Sequence, residues 1–271
     1  MSNIITTKTR RLYLRPPQGD AYALNKGSIL AKGLLAWWPI VTLQDHGHLK
    51  KYSLTNVGST VVDSPNMGRV RQFVSASTQY CQYSGAVVSA VPFSMSCWFR
   101  ITDLTVSQEF IDIGQVGTDT DEVRIGFGQA GDDVNARSRA ASVNGTATAT
   151  GVVVSGEWTL GTGVWRASNS RSAYRNGRNK VTDTTNLTPT GLDTTRIGQQ
   201  ARATPTNPMN GMLADPAIWD RALSDAEVYM LWDPLTRWDL YYPLGRKIVV
   251  EVPSATASTG LLLRRRRMIA A

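Results

Sequence analysis

Apolar and polar positions alternate with a period of two over residues 93–101. Phe93, Met95, Cys97, Phe99 and Ile101 fall on one side, and Ser94, Ser96, Trp98 and Arg100 on the other. That is the pattern of a strand with one buried face. Val123, Ile125 and Phe127 alternate likewise. Two pairs, Asn144-Gly145 and Asn176-Gly177, lie between such runs and predict tight type I′ hairpins, whose two central residues need φ > 0. The period changes near the C-terminal end. Ser224 reads as an N-cap, Glu227 completes a capping box, and Leu223 with Val228 has the spacing of a hydrophobic staple. Val228, Leu231 and Trp232 then share one helical face. The pattern predicts an all-β chain with one short helix, stopped by Asp233-Pro234.

The chain has 271 residues, enough for a β domain of roughly 200 residues with a sizeable core. Hydrophobic content of 42% with 18% charged residues excludes global disorder. No run approaches the roughly 18–20 apolar residues of a membrane span. No apolar segment follows Lys8, Arg10 and Arg11, so a secretory signal is not expected. Cys81 and Cys97 cannot form a disulfide framework. Free thiols in a reducing cytosol are expected, a single bridge being the alternative.

The net charge of +8 is unevenly placed. Residues 1–33 hold six basic residues (Lys8, Arg10, Arg11, Arg15, Lys26, Lys32) against Asp20. Residues 233–271 hold seven (Arg237, Arg246, Lys247, Arg264, Arg265, Arg266, Arg267) against Asp233, Asp239 and Glu251. The remaining 16 basic and 17 acidic residues leave 34–232 nearly neutral. The expected organisation is a basic arm over 1–33, a folded domain over 34–232, and a basic arm over 233–271.

Several short motifs resemble the laminin-G-like, concanavalin A-like jelly-roll family. The most specific is Gly211 to Trp232, where a strand leads through Asp220-Arg221-Ala222-Leu223-Ser224 into a helix with Glu227. The strand Phe93 to Trp98, the hairpin Tyr174 to Gly177, and Arg196-Ile197-Gly198 are similar to the family's elements and stand in its order. Leu34 to Ile40, followed by Asp45 and Gly47, resembles its aromatic opening strand and Gly loop. The resemblance implies a two-sheet antiparallel jelly-roll sandwich flanked by extended basic arms.

Chemistry was sought residue by residue. Jelly-roll glucanases carry Glu, Asp and Glu at alternate positions of one strand. Here Glu109 and Asp112 are three apart, which on a regular strand points them to opposite faces, and Gly114 follows. A retaining mechanism needs two carboxyls about 5 Å apart, so no catalysis is expected. Asp119, Asp121 and Glu122 form an oxygen-rich turn that suits calcium, against the plainer reading of a solvated loop. His46 and His48 lack the remaining ligands of a zinc site. An exposed Trp or Tyr could stack on a sugar ring, although Trp98, Trp219 and Trp232 read as core; Trp158 and Trp165 stay open. Arg264 to Arg267 would neutralise phosphates of a nucleic acid, but Leu261, Leu262 and Leu263 just before them favour docking on protein.

The expected function is a non-enzymatic structural protein of a phage virion, assembled in the host cytoplasm: a capsid decoration or cement, or a head–tail accessory. The tails behind Trp232 resemble those of phage-associated relatives. Arg10, Arg11, Arg15, Trp238, Tyr241, Tyr242, Leu261, Leu262, Leu263 and Arg264 to Arg267 would anchor the module to other virion proteins and to copies of itself. No cofactor and no membrane are expected. The alternative is a carbohydrate-binding, lectin-like adhesin or receptor-binding module.

Overall fold

The computed structural model describes residues 22–243 apart from Ile40, Ala130 and Asp132. The chain runs through β1 (Tyr22–Leu24), β2 (Leu34–Trp37), β3 (Thr55–Val57), β4 (Thr60–Ser64), β5 (Gly68–Phe73) and β6 (Tyr80–Tyr83). Then come β7 (Phe93–Ile101), β8 (Gln108–Gly114), β9 (Glu122–Gly128), β10 (Asp133–Ala140) and β11 (Val143–Ala149). The last part holds β12 (Thr159–Ala167), β13 (Ser170–Arg175), β14 (Arg178–Asp183), β15 (Thr194–Ile197), β16 (Gly211–Trp219), α1 (Asp225–Trp232) and β17 (Tyr241–Pro243). One sheet has the order β11-β10-β9-β8-β15-β6-β3. The other runs β14-β13-β12-β7-β16-β5-β4, with β2 also on β16. This is a jelly-roll sandwich.

The alternation of β7 and β9 builds the space between the sheets. Met95, Cys97, Phe99 and Ile101 face Ile111, Ile113, Val123, Ile125 and Phe127 across it. Phe99 stacks on Phe110 at 4.1 Å, and Phe93 on Trp165 at 4.6 Å. The Trp165 indole N–H donates to Ser138 Oγ at 2.8 Å, so its burial leaves no donor unpaired.

The other face of β7 is not solvated, contrary to the one-sided expectation. Trp98 is buried there with Trp37, Leu160, Tyr174, Trp219, Leu231, Trp238 and Tyr241 in a second apolar cluster. The serines beside it are paired: Ser94 Oγ donates to the Arg221 carbonyl at 2.8 Å, and Ser96 Oγ meets Thr162 Oγ1 at 3.0 Å. Helix α1 forms part of the lid. Ser224 and Glu227 make the expected capping box, and the staple pair Leu223 and Val228 is fully buried.

The lid also corrects the arm boundaries. Residues 22–33 and 233–243, assigned by charge to the arms, belong to the fold. β1 and β17 form a two-stranded sheet with Leu24 opposite Tyr241. Trp219 Nε1 donates to the Leu30 carbonyl at 2.7 Å, and Leu30 is fully buried. Trp238 and Tyr241 therefore anchor their own chain rather than a neighbour; Tyr241 meets Trp37 edge-on at 4.7 Å. Apolar area decides the matter against the sparse charges of these segments.

Asn176-Gly177 forms the expected hairpin turn, with φ of 51° and 67°. Asn144-Gly145 does not. Ala141 and Ser142 make that turn at positive φ, and Gly145 lies inside β11. A Cβ there would strike the guanidinium of Arg171, so this glycine serves close approach of the two sheets. The opening loop is tied by Asp45. Its carboxylate accepts from the amides of Trp37 (3.1 Å), Gly47 (2.7 Å), Lys51 (3.0 Å) and Tyr52 (3.1 Å). Cys81 and Cys97 are free and buried, on different sheets.

A fragment of residues 22–243 should therefore keep the urea midpoint of the full chain, and 34–232 should lose it. Trp238→Ala should cost about 3–5 kcal/mol. Equal midpoints for the two fragments would return residues 22–33 and 233–243 to the arms.

Candidate functional site

With one sheet covered on both faces, the outer face of the seven-stranded sheet is left to carry polar groups. β8 and β9 supply its centre. Regular alternation would send Glu109 and Asp112 to opposite faces, but a β-bulge at Phe110 intervenes. Glu109 pairs with Gly126, Ile111 with Ile125 and Asp112 with Arg124. Phe110 and Ile111 both enter the core, and Glu109 and Asp112 emerge together. The expectation that they diverge is overturned by that one extra residue.

Arg124 lies between the carboxylates. It is ion-paired with Glu109, and its Nε stands 3.2 Å from Glu122 Oε1. Asn207 Nδ2 also donates to Glu109, at 3.1 Å. Asp112 has no protein hydrogen-bond partner; the Ala201 amide leans toward it short of full hydrogen-bond geometry. Burial, then the charge of Glu122, holds the Asp112 carboxyl well above the usual carboxylate range. Burial also raises Glu109 and outweighs its pairing with Arg124. For Arg124 burial works against the charge, but the surrounding carboxylates prevail and raise its pKa.

Beside this cluster is a cavity of about 110 Å³. Ser107, Glu109, Arg124, Asn135, Arg137 and Asn207 line it, and Gly126 forms part of its wall. A Cβ on Gly126 would lie 2.5 Å from a Glu109 carboxylate oxygen and 2.6 Å from the Gln108 carbonyl. Asn135 Oδ1 is shielded from solvent and makes no hydrogen bond. Residues 198–210 form a fastened wall: the Gly198 amide donates to the Phe110 carbonyl at 3.1 Å, and Thr206 N to Gln200 Oε1 at 2.8 Å. Further along the face, Arg196 lies 4.6 Å above the Tyr80 ring. A second cavity, about 90 Å³, opens between the sheets at Phe93, Val123, Trp165 and Leu187; no charged residue lines it.

The residues picked out from sequence are scattered. Asp119 accepts from the Thr204 amide at 2.9 Å, and Asp121 from the Thr190 amide at 3.0 Å, whereas Glu122 faces Arg124. These three carboxylates have separate partners and no shared centre for calcium. Among the described residues no group of three His, Cys, Asp or Glu is placed to hold a metal. Tyr242 is exposed (57%). Arg10, Arg11, Arg15, Leu261, Leu262, Leu263 and Arg264 to Arg267 lie outside the described residues. No tryptophan reaches the polar face: Trp38 and Trp165 are between the sheets, and Trp37, Trp98, Trp158, Trp219, Trp232 and Trp238 pack under the lid.

Sequence reading missed Arg124, Asn135, Arg137 and Asn207. For three of them a signal existed. The alternation that makes Val123, Ile125 and Phe127 core puts Arg124 on the opposite face, and Asn135 and Arg137 flank the core residue Ala136 in the same way. Asn207 comes from a loop and carried none.

The family described as the concanavalin A-like lectin/glucanases superfamily matches residues 75–229. The chain belongs to that superfamily. No curated protein matches it in sequence. Among solved structures of the superfamily's fold, domain 4 of the extracellular arabinanase AbnA from Geobacillus stearothermophilus, in complex with arabinotriose, is similar. It has TM-score 0.59 and 16% identity over 74% of this chain and 98% of that one. The binding domain of Paraclostridial Mosquitocidal Protein 1 has TM-score 0.59 and 15% identity over 75% of this chain and 52% of that one. A botulinum neurotoxin type C structure, whose title ties cell entry to two ganglioside molecules, has TM-score 0.57 and 13% identity over 76% of this chain and 52% of that one. At these identities the likeness establishes the fold.

Asp112 gives a pH test. Its folded-state pKa lies above the unfolded value, so the folded chain binds the extra proton. Stability from this group is full below the unfolded pKa and is lost as pH rises toward the folded one. Asp112→Asn should thus raise the melting temperature at pH 8 and leave it unchanged near pH 4. A drop at pH 8 would mean that the ionised carboxylate is needed.

Proposed function

We propose that this protein is a carbohydrate-binding module that holds a glycan on the outer face of its seven-stranded sheet without cleaving it. The observation that carries the reading is the polar cavity beside Arg124, lined by Glu109, Asn135, Arg137 and Asn207. Membership of a superfamily of lectins and glucanases supports the class, and so does the arabinotriose complex of the similar arabinanase domain. The absence of tryptophan from this face makes hydrogen bonding, rather than ring stacking, the source of affinity.

The carboxylates support binding over hydrolysis. Glu109 and Glu122 are both engaged by Arg124, and Asp112 is fully buried. A general acid needs a reachable proton and a nucleophile an approachable oxygen; burial withholds both, since none of the three carboxylic side chains belongs to a residue more than 3% exposed.

The full chain on an oligosaccharide array is the direct test. Binding to at least one glycan is expected, weakened about tenfold or more by Asn135→Ala. No binding anywhere on the array would sink the reading.

The second reading, attachment to a larger particle such as a phage virion, rests on the sequence of the termini. Leu261 to Leu263 followed by Arg264 to Arg267 suits docking on an acidic protein surface. It predicts that light scattering finds the full chain oligomeric and residues 22–243 monomeric; identical masses would remove self-assembly from it.

A further inference from the structure

We propose that the ligand of this cavity is an acidic sugar whose carboxylate is received by Arg137. This rests on the carbohydrate reading above and narrows its ligand class. Arg137 stands on β10 directly opposite Arg124 of β9 and Thr146 of β11. Like charges facing each other across two strands are destabilising, and here only Arg124 is ion-paired by the protein, while Glu122 and Glu109 act on Arg137 from farther away. Arg124 is committed to Glu109 and Glu122. Arg137 donates its Nε to Asn144 Oδ1 at 3.0 Å, which fixes the plane of the guanidinium. Its two terminal nitrogens make no hydrogen bond or ion pair with the described residues, and the side chain lines the cavity.

The arrangement of charges agrees with that geometry. Arg124, Arg137, Arg139 and Arg196 share the face with Glu109, Asp112, Glu122 and Asp133; Arg139 is opposite Glu122 and Arg196 opposite Asp112. Of these arginines Arg124 and Arg137 line the cavity, and Arg124 is the one that Glu109 and Glu122 engage. A planar guanidinium with two free donors matches a carboxylate in a two-point contact.

Asn135 adds the second half of the recognition. It is two residues before Arg137, so both side chains leave the same face of the strand, about 7 Å apart. One pyranose ring spans such a gap, with its carboxylate on Arg137 and a hydroxyl against the Asn135 side chain that lines the cavity. A cavity of about 110 Å³ admits the acidic edge of one residue rather than a length of chain. A neutral sugar would satisfy Asn135 and leave Arg137 alone.

The test uses trigalacturonate and 3′-sialyllactose, each beside its methyl ester, titrated into the full chain by calorimetry at physiological salt. The ester keeps the ring and removes the charge. At least one acid should bind, at least tenfold more tightly than its ester. Arg137→Gln should bring acid and ester to the same affinity, and Arg137→Lys should recover part of the difference. Lys180→Gln removes the same charge from β14 and should leave the preference intact, which separates the site from the overall positive charge of the chain. Equal affinity of acid and ester would overturn the inference and leave the carbohydrate reading standing. Equal effects of the Arg137 and Lys180 variants, with melting temperatures unchanged, would overturn it in favour of bulk charge. If neither these acids nor any neutral oligosaccharide binds, both fall.

Discussion

Both faces of the eight-stranded sheet are apolar, and the remainder of the molecule is arranged around that constraint. The face turned to the other sheet is covered by the sandwich itself. The opposite face, with Trp37, Trp98 and Trp219, has no second sheet to meet. It is covered by α1, by Leu30, and by the Trp238 to Tyr241 segment, elements drawn from the two ends of the fold. Exposing those indoles would forfeit roughly 2–3 kcal/mol each. The polar chemistry is thereby confined to the outer face of the seven-stranded sheet.

On that face the protein has arranged charges that satisfy one another incompletely. Three carboxylates surround one arginine, and a single bulge in β8 is what puts two of them side by side. Ion pairs held this far from water contribute little net stability relative to apolar packing. Their value lies in order. The Arg124 guanidinium is fixed by two carboxylates and Glu109 is fixed further by Asn207, so the cavity wall is rigid before a ligand arrives. A rigid, polar wall loses less on binding than a mobile one.

Much of this was legible in the sequence. The capping box at Ser224 and Glu227, the hairpin at Asn176-Gly177 and the core sides of β7 and β9 follow from local rules that the structure obeys. The failures have separate physical causes. Gly145 looked like a turn because its dipeptide favours one, but its contact with Arg171 is long-range and leaves no local mark. Glu109 and Asp112 were separated by counting in twos, and a bulge is invisible to that count. The arm boundaries were drawn from charge, whereas the burial of Leu30 and Trp238 depends on a tryptophan-rich surface assembled from distant strands. Arg124, Asn135 and Arg137 follow from alternation beside core residues, but nothing local marks which polar positions of a strand border a cavity, and Asn207 reaches it from a loop.

The pairing of β1 with β17 has a geometric consequence. It brings Tyr22 and Pro243 alongside each other on the covered side of the sandwich, away from the cavity. The first and last strands of the described fold are therefore direct neighbours. The cavity opens on the opposite side of the sandwich, so chain added at either end of the fold starts on the far side from it.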